Sequence, residues 1–385
     1  MKNFSFLAPE VMENLFFKMP ESFDRNSHRD LLSVSLGATL YSPATRKSLA
    51  QDVIKMGKKG STSVILCLED SVPDNLLEEA EENLVATLRE LSENTQDELP
   101  LLFIRPRNPE HLQRIEVKIR PYLHVLTGFS LPKFDKSNAD RFLELTSIYS
   151  MQSGVHMYAM PILESPTLIF GETRNRELKA IYKACEKYRD HVLNIRIGAT
   201  DMASPFGLRR SRDLNIYDVK VIAGAIGDIV NVFGRAEDKY TISGPVWEHF
   251  TDRERLFKPR LRQSPFIANE AQKLRYKLIL QDLDGLIREV ELDRANGLWG
   301  KTVIHPTHVS LVNSILVVSR EEYSDALAIL DGGTDGAVAS IYRNKMNEVK
   351  PHTAWAEKIM LRAEAFGVSN EGINFVDFME ASIGE

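Results

Sequence analysis

Short apolar runs alternate with longer amphipathic stretches along most of the chain. The runs Ser33–Pro43, Thr62–Asp70, Leu99–Arg105, Val125–Lys133, Met157–Glu164, Val192–Asp201, Tyr240–Trp247 and Lys301–Pro306 read as strands. They are short, rich in aliphatic residues and bounded by breakers, which fits strands buried on both faces. Between them the spacing predicts helices over Thr45–Lys58 with Thr45 at the N-cap, Asn75–Glu93, Glu110–Tyr122, Asn138–Ser150, Arg174–Asp190, Asn215–Arg235, and from about His308. In Asn215–Arg235 the residues Val219, Ile222, Ile226, Ile229 and Phe233 fall on one face. Strand-then-helix units repeated eight times predict an α/β fold, the TIM (β/α)8 barrel. A doubly wound open sheet is the alternative, weakened because no glycine-rich phosphate fingerprint follows the first strand. The barrel would occupy 33–331, with an N-terminal extension over 1–32 and a long insertion over 248–300 before the eighth strand. A C-terminal tail over 332–385 would carry a helix at Ala354–Ala365.

A barrel of this kind keeps its active site at the C-terminal ends of the strands. Read in turn, those ends give Arg46, Glu69 and Asp70, Arg105, Lys133, Glu164, Asp201, Ser243 and His305. One charged strand end says little, since loops are often charged. A near-complete ring of them around one mouth is hard to explain by solvation alone. A single returning helix joins the fifth and sixth runs, so Glu164 and Asp201 should emerge side by side. Two carboxylates there suit Mg²⁺, a hard cation that keeps several waters, although either acid alone could cap the following helix. Glu69 and Asp70 can reach a metal directly or through water. Arg105 and Lys133 can bind a carboxylate or an enolate oxygen. A metal beside cationic donors stabilises charge developing on an enolate. The chemistry expected is therefore metal-assisted enolate formation or carbon–carbon cleavage. His305 reads as a packed strand-end histidine.

Composition narrows this picture without redirecting it. The net charge of -6 argues against a dedicated nucleic-acid binder. No apolar run reaches the ~18 residues of a membrane span, and Met1–Phe17 lacks a signal-peptide pattern, so a cytoplasmic protein is expected. Its 2 cysteines cannot build a disulfide framework, and Cys67 reads as a small core residue. Two basic clusters remain. Arg209, Arg210 and Arg212 follow Asp201 at the mouth, while Arg253, Arg255, Lys258, Arg260 and Arg262 interleave with Phe257 and Phe266. Each reads either as a clamp for the phosphates of coenzyme A or a sugar phosphate, or as a solvated loop. A metal-dependent thioester or phosphoester hydrolase, or a non-catalytic scaffold, are the competing readings of the whole.

Several stretches resemble the citrate lyase beta subunit and its malyl-CoA and citramalyl-CoA lyase relatives. They are Leu40–Arg46, Leu68–Val72, Ile104–Arg105, Gly128–Lys133, Ile162–Ser165, Ile197–Met202, Gly300–Pro306, Lys345–Met346 and Trp355–Ala356. They occur in family order over roughly 33–368. The resemblance is closest to the divergent branch of carbon–carbon bond lyases linked with tellurium-resistance and stress gene clusters. It implies a Mg²⁺ enzyme with Glu164 and Asp201 as metal ligands and Arg105 on the substrate carboxylate. Glu69 and Asp70 would stand beside metal-bound waters. It also implies a homo-oligomer, often a trimer, whose tail packs on a neighbouring subunit. Glu348 lies where thioester-acting relatives carry an acid that serves a neighbour's active site. Ala44, Arg107, Thr200 and Ser243 depart from the family pattern, which implies a retained core chemistry and a rebuilt substrate shell.

Overall fold

The computed structural model describes residues 1–94, 98–238, 240–250, 283–331, 336–342 and 344–383. Eight strands form one parallel sheet: β1 (Ala38–Pro43), β2 (Ser63–Cys67), β3 (Leu101–Arg105), β4 (Gly128–Leu131), β5 (Tyr158–Leu163), β6 (Ile195–Ile197), β7 (Ile242–Ser243) and β8 (Lys301–Val303). Sequence neighbours pair from β1 to β7, and β8 pairs back onto β1 with Thr39 opposite Thr302. The seam between β7 and β8 is narrow. The Trp299 N–H donates to the Ile242 carbonyl at 2.7 Å and the Gly244 N–H to the Gly300 carbonyl at 3.0 Å. With a parallel bridge between Gly244 and Lys301, these contacts bring the sheet round into a barrel.

Alternation along each strand sorts the side chains into two cores. Leu40, Val64, Leu66, Leu102 and Ile104 join the outer layer beneath the helices. Ile65, Leu101, Phe103, Tyr158 and Met160 fill the lumen, where Phe23, Leu32 and Leu36 from the N-terminal segment meet them. The N-terminal extension thus plugs the end at which the strands begin. This revises the reading of Ser33–Ser35 as strand. Those residues end the helix Arg29–Ser35, and Gly37, at φ +48°, turns the chain into β1. The first barrel helix likewise starts at Leu49 rather than Thr45, with Ser48 at its N-cap.

Between β7 and β8 the described residues include the helix Asp284–Ala295. Its buried Leu286, Ile287 and Val290 belong to the outer core, so part of the 248–300 stretch supplies the helix that belongs between those strands. The tail forms the helix Val349–Phe366, with Ala356, Ile359 and Ala363 buried against Val318, Ala326 and Ile329 of its own chain. It also packs on Arg29–Ser35. Phe16–Lys18 pairs antiparallel with Val368–Ser369, tying the N-terminal segment to the tail. These contacts lie at the floor of the barrel, away from the C-terminal strand ends.

Candidate active site

Arg105, the last residue of β3, stands at the centre of a charged cluster at the barrel mouth. Its Nη2 lies 2.5 Å from Glu69 Oε2, 3.0 Å from Asp70 Oδ2 and 3.6 Å from Glu164 Oε1. Lys133 faces the same acids. Its ammonium pairs with Glu69 and lies 3.1 Å from Asp70 Oδ1, while its backbone N–H donates to Glu164 Oε1 at 2.8 Å. Lys133 adopts φ +47°, a left-handed conformation uncommon outside glycine. That turn lets one residue present both its backbone donor and its ammonium to the acids.

Glu164 is 3% exposed, and its position depends on a neighbour with no side chain. A Cβ on Gly198 would stand 2.0 Å from Glu164 Oε2, so the turn after β6 has to be glycine here. Burial, with Asp201 and Glu69 nearby, pushes the Glu164 carboxyl up to about 8 against the pull of Arg105. Asp201, in the first turn of the helix Ala199–Ala203, is also raised, by burial and by Asp70. Burial raises Glu69 as well. Asp70 goes the other way: burial is outweighed by its hydrogen bond with Glu69 and by Arg105 and Lys133. The same acids hold Lys133 more firmly protonated than a free lysine, against the cost of its burial.

Four carboxylates around two cations concentrate negative charge at one point. Among the described residues no group of three or more His, Cys, Asp or Glu side chains forms a ready-made metal cage. Two hard oxygen donors with the remaining positions open to water and substrate nevertheless match how Mg²⁺ binds. The crowded, raised carboxyls of Glu164 and Asp201 fit that group.

The other sequence-derived candidates lie outside this cluster. Arg46 is exposed and pairs with Asp52 at 2.6 Å. Ser243 is wholly buried in β7, with its hydroxyl donating to the Trp299 carbonyl at 3.2 Å, which makes it part of the barrel wall. Arg210, expected to clamp phosphate, is buried, pairs with Glu289, donates to the Val246 carbonyl at 2.5 Å and stacks over Trp247. Arg209 and Arg212 are exposed on the same segment. Glu348 is exposed at the start of the tail helix and makes no described contact with the mouth. His305 stacks on Phe250 with ring centroids 5.2 Å apart, in keeping with a packing role. The basic cluster Arg253–Arg262 lies outside the described residues.

Sequence reading passed over Arg196, Tyr41 and Gly198. Arg196 sat inside a run taken as apolar strand. A charged residue in the interior of such a run is itself a signal, since burying an unpaired charge is costly.

Solved structures share the fold. The CitE protein of Mycobacterium tuberculosis, in complex with magnesium, acetoacetate and coenzyme A, matches with a TM-score of 0.55 at 18% identity, over 86% of this chain and 99% of that one. Haloferax volcanii malate synthase, in a magnesium and glyoxylate complex, matches with a TM-score of 0.50 at 12% identity, over 71% of this chain and 72% of the other. No curated protein matches. Residues 30–368, which contain the whole barrel and the charged mouth, match the model of the C–C bond lyases of the TIM-barrel fold, and the chain belongs to that family.

Proposed function

We propose that this chain is a Mg²⁺-dependent carbon–carbon bond lyase, or the condensing enzyme of the reverse reaction, working through an enolate. Its substrate class is a 2-oxo or 3-hydroxy acid, its coenzyme A thioester or a phosphorylated analogue. The observation that carries this reading is the convergence of Glu69, Asp70, Glu164 and Asp201 on Arg105 and Lys133 at the mouth. Glu164 and Asp201 would hold Mg²⁺, which as a Lewis acid stabilises negative charge on the enolate oxygen. Arg105 would bind the substrate carboxylate, its guanidinium already oriented by Glu69 and Asp70. The Lys133 ammonium would face the developing oxyanion as a positioned cation. Glu69 and Asp70 would hold both cations and order the waters around the metal.

Membership of the C–C bond lyases supports the bond type. The CitE complex, with its acetoacetate and coenzyme A, suggests short oxo acids and thioesters as the first compounds to try. Arg209 and Arg212 are the exposed basic residues of this segment and would meet a phosphate group, whereas Arg210 is buried against Glu289. Glu348 would enter only as a proton-transfer group delivered to a neighbouring subunit of a homo-oligomer.

Enolate formation can be tested without knowing the second substrate. In D₂O with Mg²⁺, wild type should exchange the C3 hydrogens of pyruvate or oxaloacetate, or the acyl hydrogens of acetyl-CoA, as followed by proton NMR. Glu164→Gln should abolish that exchange. No exchange from any oxo acid or thioester would end the reading.

A further inference from the structure

Arg196 is a buried cation without an acid. On β6, just below the mouth, it is 1% exposed, and among the described residues its partners are hydroxyls. Nη1 donates to Thr39 Oγ1 at 3.1 Å and Nη2 to Thr302 Oγ1 at 2.7 Å, while Nε has no partner. Burial and the nearby Arg105 both work against its charge, and Tyr41 is what opposes them. Two residues earlier, Asn194 is 0% exposed with both amide atoms unpartnered. Thr39, Ser130, Asn194 and Thr302 therefore give this part of the lumen polar walls instead of aliphatic ones. A buried guanidinium costs several kcal/mol unless something pairs with it, and two threonine hydroxyls carry no charge.

Tyr41 links this arginine to the site above. Its ring centroid is 5.7 Å from the Arg105 guanidinium and 5.9 Å from that of Arg196, and its hydroxyl lies 3.4 Å from Ser130 Oγ. Tyr41 is partly exposed, unlike the wholly buried arginine beneath it. The two guanidiniums thus approach one ring and lie no more than about 12 Å apart. A four- or five-carbon dicarboxylate, with C–C bonds of ~1.5 Å and a charge-assisted hydrogen bond of ~2.8 Å at each end, is long enough to reach both guanidiniums anywhere within that limit. Charge points the same way. Once all four acids are ionised, Arg105, Lys133 and Arg196 leave one net negative charge, and the divalent cation that takes the ionised Glu164 turns it positive.

We infer that Arg196 is the second anion-binding residue of the mouth and that the substrate is a diacid. Its distal carboxylate takes over the place on Arg196 of Tyr41, whose side chain hydrogen-bonds that guanidinium, while the proximal one takes Arg105. This inference rests on the proposed oxo-acid chemistry and narrows it to dicarboxylates.

The test compares matched acids by calorimetry with saturating Mg²⁺: oxaloacetate and 2-oxoglutarate against 2-oxobutanoate and 2-oxopentanoate. Wild type should bind the diacids at least tenfold tighter. Arg196→Met replaces the buried cation with an apolar side chain of similar length and removes the cost of burying a charge that has no acid. It should bring diacids and monoacids within about twofold of each other, with monoacid and Mg²⁺ affinities unchanged. Arg196→Lys, the charge-keeping variant, should retain part of the preference. Monoacids bound as tightly as diacids in wild type, or a preference that survives in Arg196→Met, would overturn the inference and leave the oxo-acid reading standing. No binding of either class would bring down both.

Discussion

Two clusters of buried charge lie close together on the barrel, and only one of them is balanced. Outside the wall, Lys301 of β8 is 0% exposed and reaches Glu289 Oε1 at 2.9 Å and Asp293 Oδ2 at 2.7 Å. Glu289 Oε2 takes Arg210 and the Ile216 N–H, and Asp293 Oδ1 takes the Tyr217 hydroxyl at 2.7 Å. Two acids meet two cations, and each carboxylate oxygen has a donor. At the mouth, Glu69, Asp70, Glu164 and Asp201 outnumber Arg105 and Lys133, and three of the four carboxyls are pushed upward. A satisfied network asks nothing of a ligand. Burial raises Asp293 of the first cluster as well, so what sets the mouth apart is its excess of acids over cations, which charge supplied from outside can offset.

The comparison is broken most directly at Lys301. Lys301→Met leaves Glu289 and Asp293 buried with one of their two cations, and removal of one member of a buried pair costs about 3–5 kcal/mol. Chemical unfolding should show a loss of that size. A loss under about 1 kcal/mol would mean that the network is not structural and that charge balance is a poor guide here.

Changes at the mouth should do the reverse. Glu164→Gln and Asp201→Asn each remove a carboxyl that the fold holds against its preference, so melting temperatures should hold or rise. Mg²⁺ affinity should fall about a hundredfold or more, roughly 2.8 kcal/mol at 1.4 kcal/mol per decade. Calorimetry beside thermal unfolding reads both. Either variant melting as early as Lys301→Met would erase the distinction between the clusters.

How much of this was legible depended on whether the signal was local. Strands with uniform apolar runs and a polar last residue announced the barrel and placed Glu69, Asp70, Arg105, Lys133, Glu164 and Asp201 at one mouth. What stayed hidden was pairing across distance. Arg209, Arg210 and Arg212 look alike in sequence, yet Arg210 alone is drawn inward by Glu289, 79 residues further on. Glu289 and Asp293 are four apart on one helix face, but nothing local says that Lys301 lies beneath them. The helix Arg29–Ser35 escaped because its Ser33, Val34 and Ser35 read as the start of a strand, although Gly37 marked the break.

Acidity supplies a smaller effect with a defined sign. With its carboxyl pushed up to about 8, Glu164 is mostly neutral in the folded apoprotein below that pH. Its contribution to stability is full below the ordinary carboxylate range and is lost as pH rises toward 8. Mg²⁺ takes the ionised form, so binding must release a proton below pH 8. Apparent Mg²⁺ affinity should therefore climb by up to about tenfold per pH unit and level off above 8. Calorimetry in buffers of different ionisation enthalpy counts the protons. A flat profile from pH 6 to 8 would show that Glu164 is already ionised.

The smallest effect separates the three arginines that follow the mouth. Arg210→Met removes a cation from the balanced network, so it should destabilise the fold in the manner of Lys301→Met while Arg209 and Arg212 stay in place. Neutralising Arg209 and Arg212 together should leave the melting temperature within a degree or two, since exposed charges contribute only about 0–1 kcal/mol each. If these two meet the phosphates of a thioester substrate, the double variant should bind acetyl-CoA a few-fold more weakly at low salt. That difference should shrink as salt rises, because exposed charges are screened over about 8–10 Å near physiological ionic strength. A titration of acetyl-CoA affinity at several salt concentrations, wild type beside the double variant, measures it. Parallel salt slopes for the two proteins would remove Arg209 and Arg212 from phosphate recognition and leave them as solvated charges on an exposed segment.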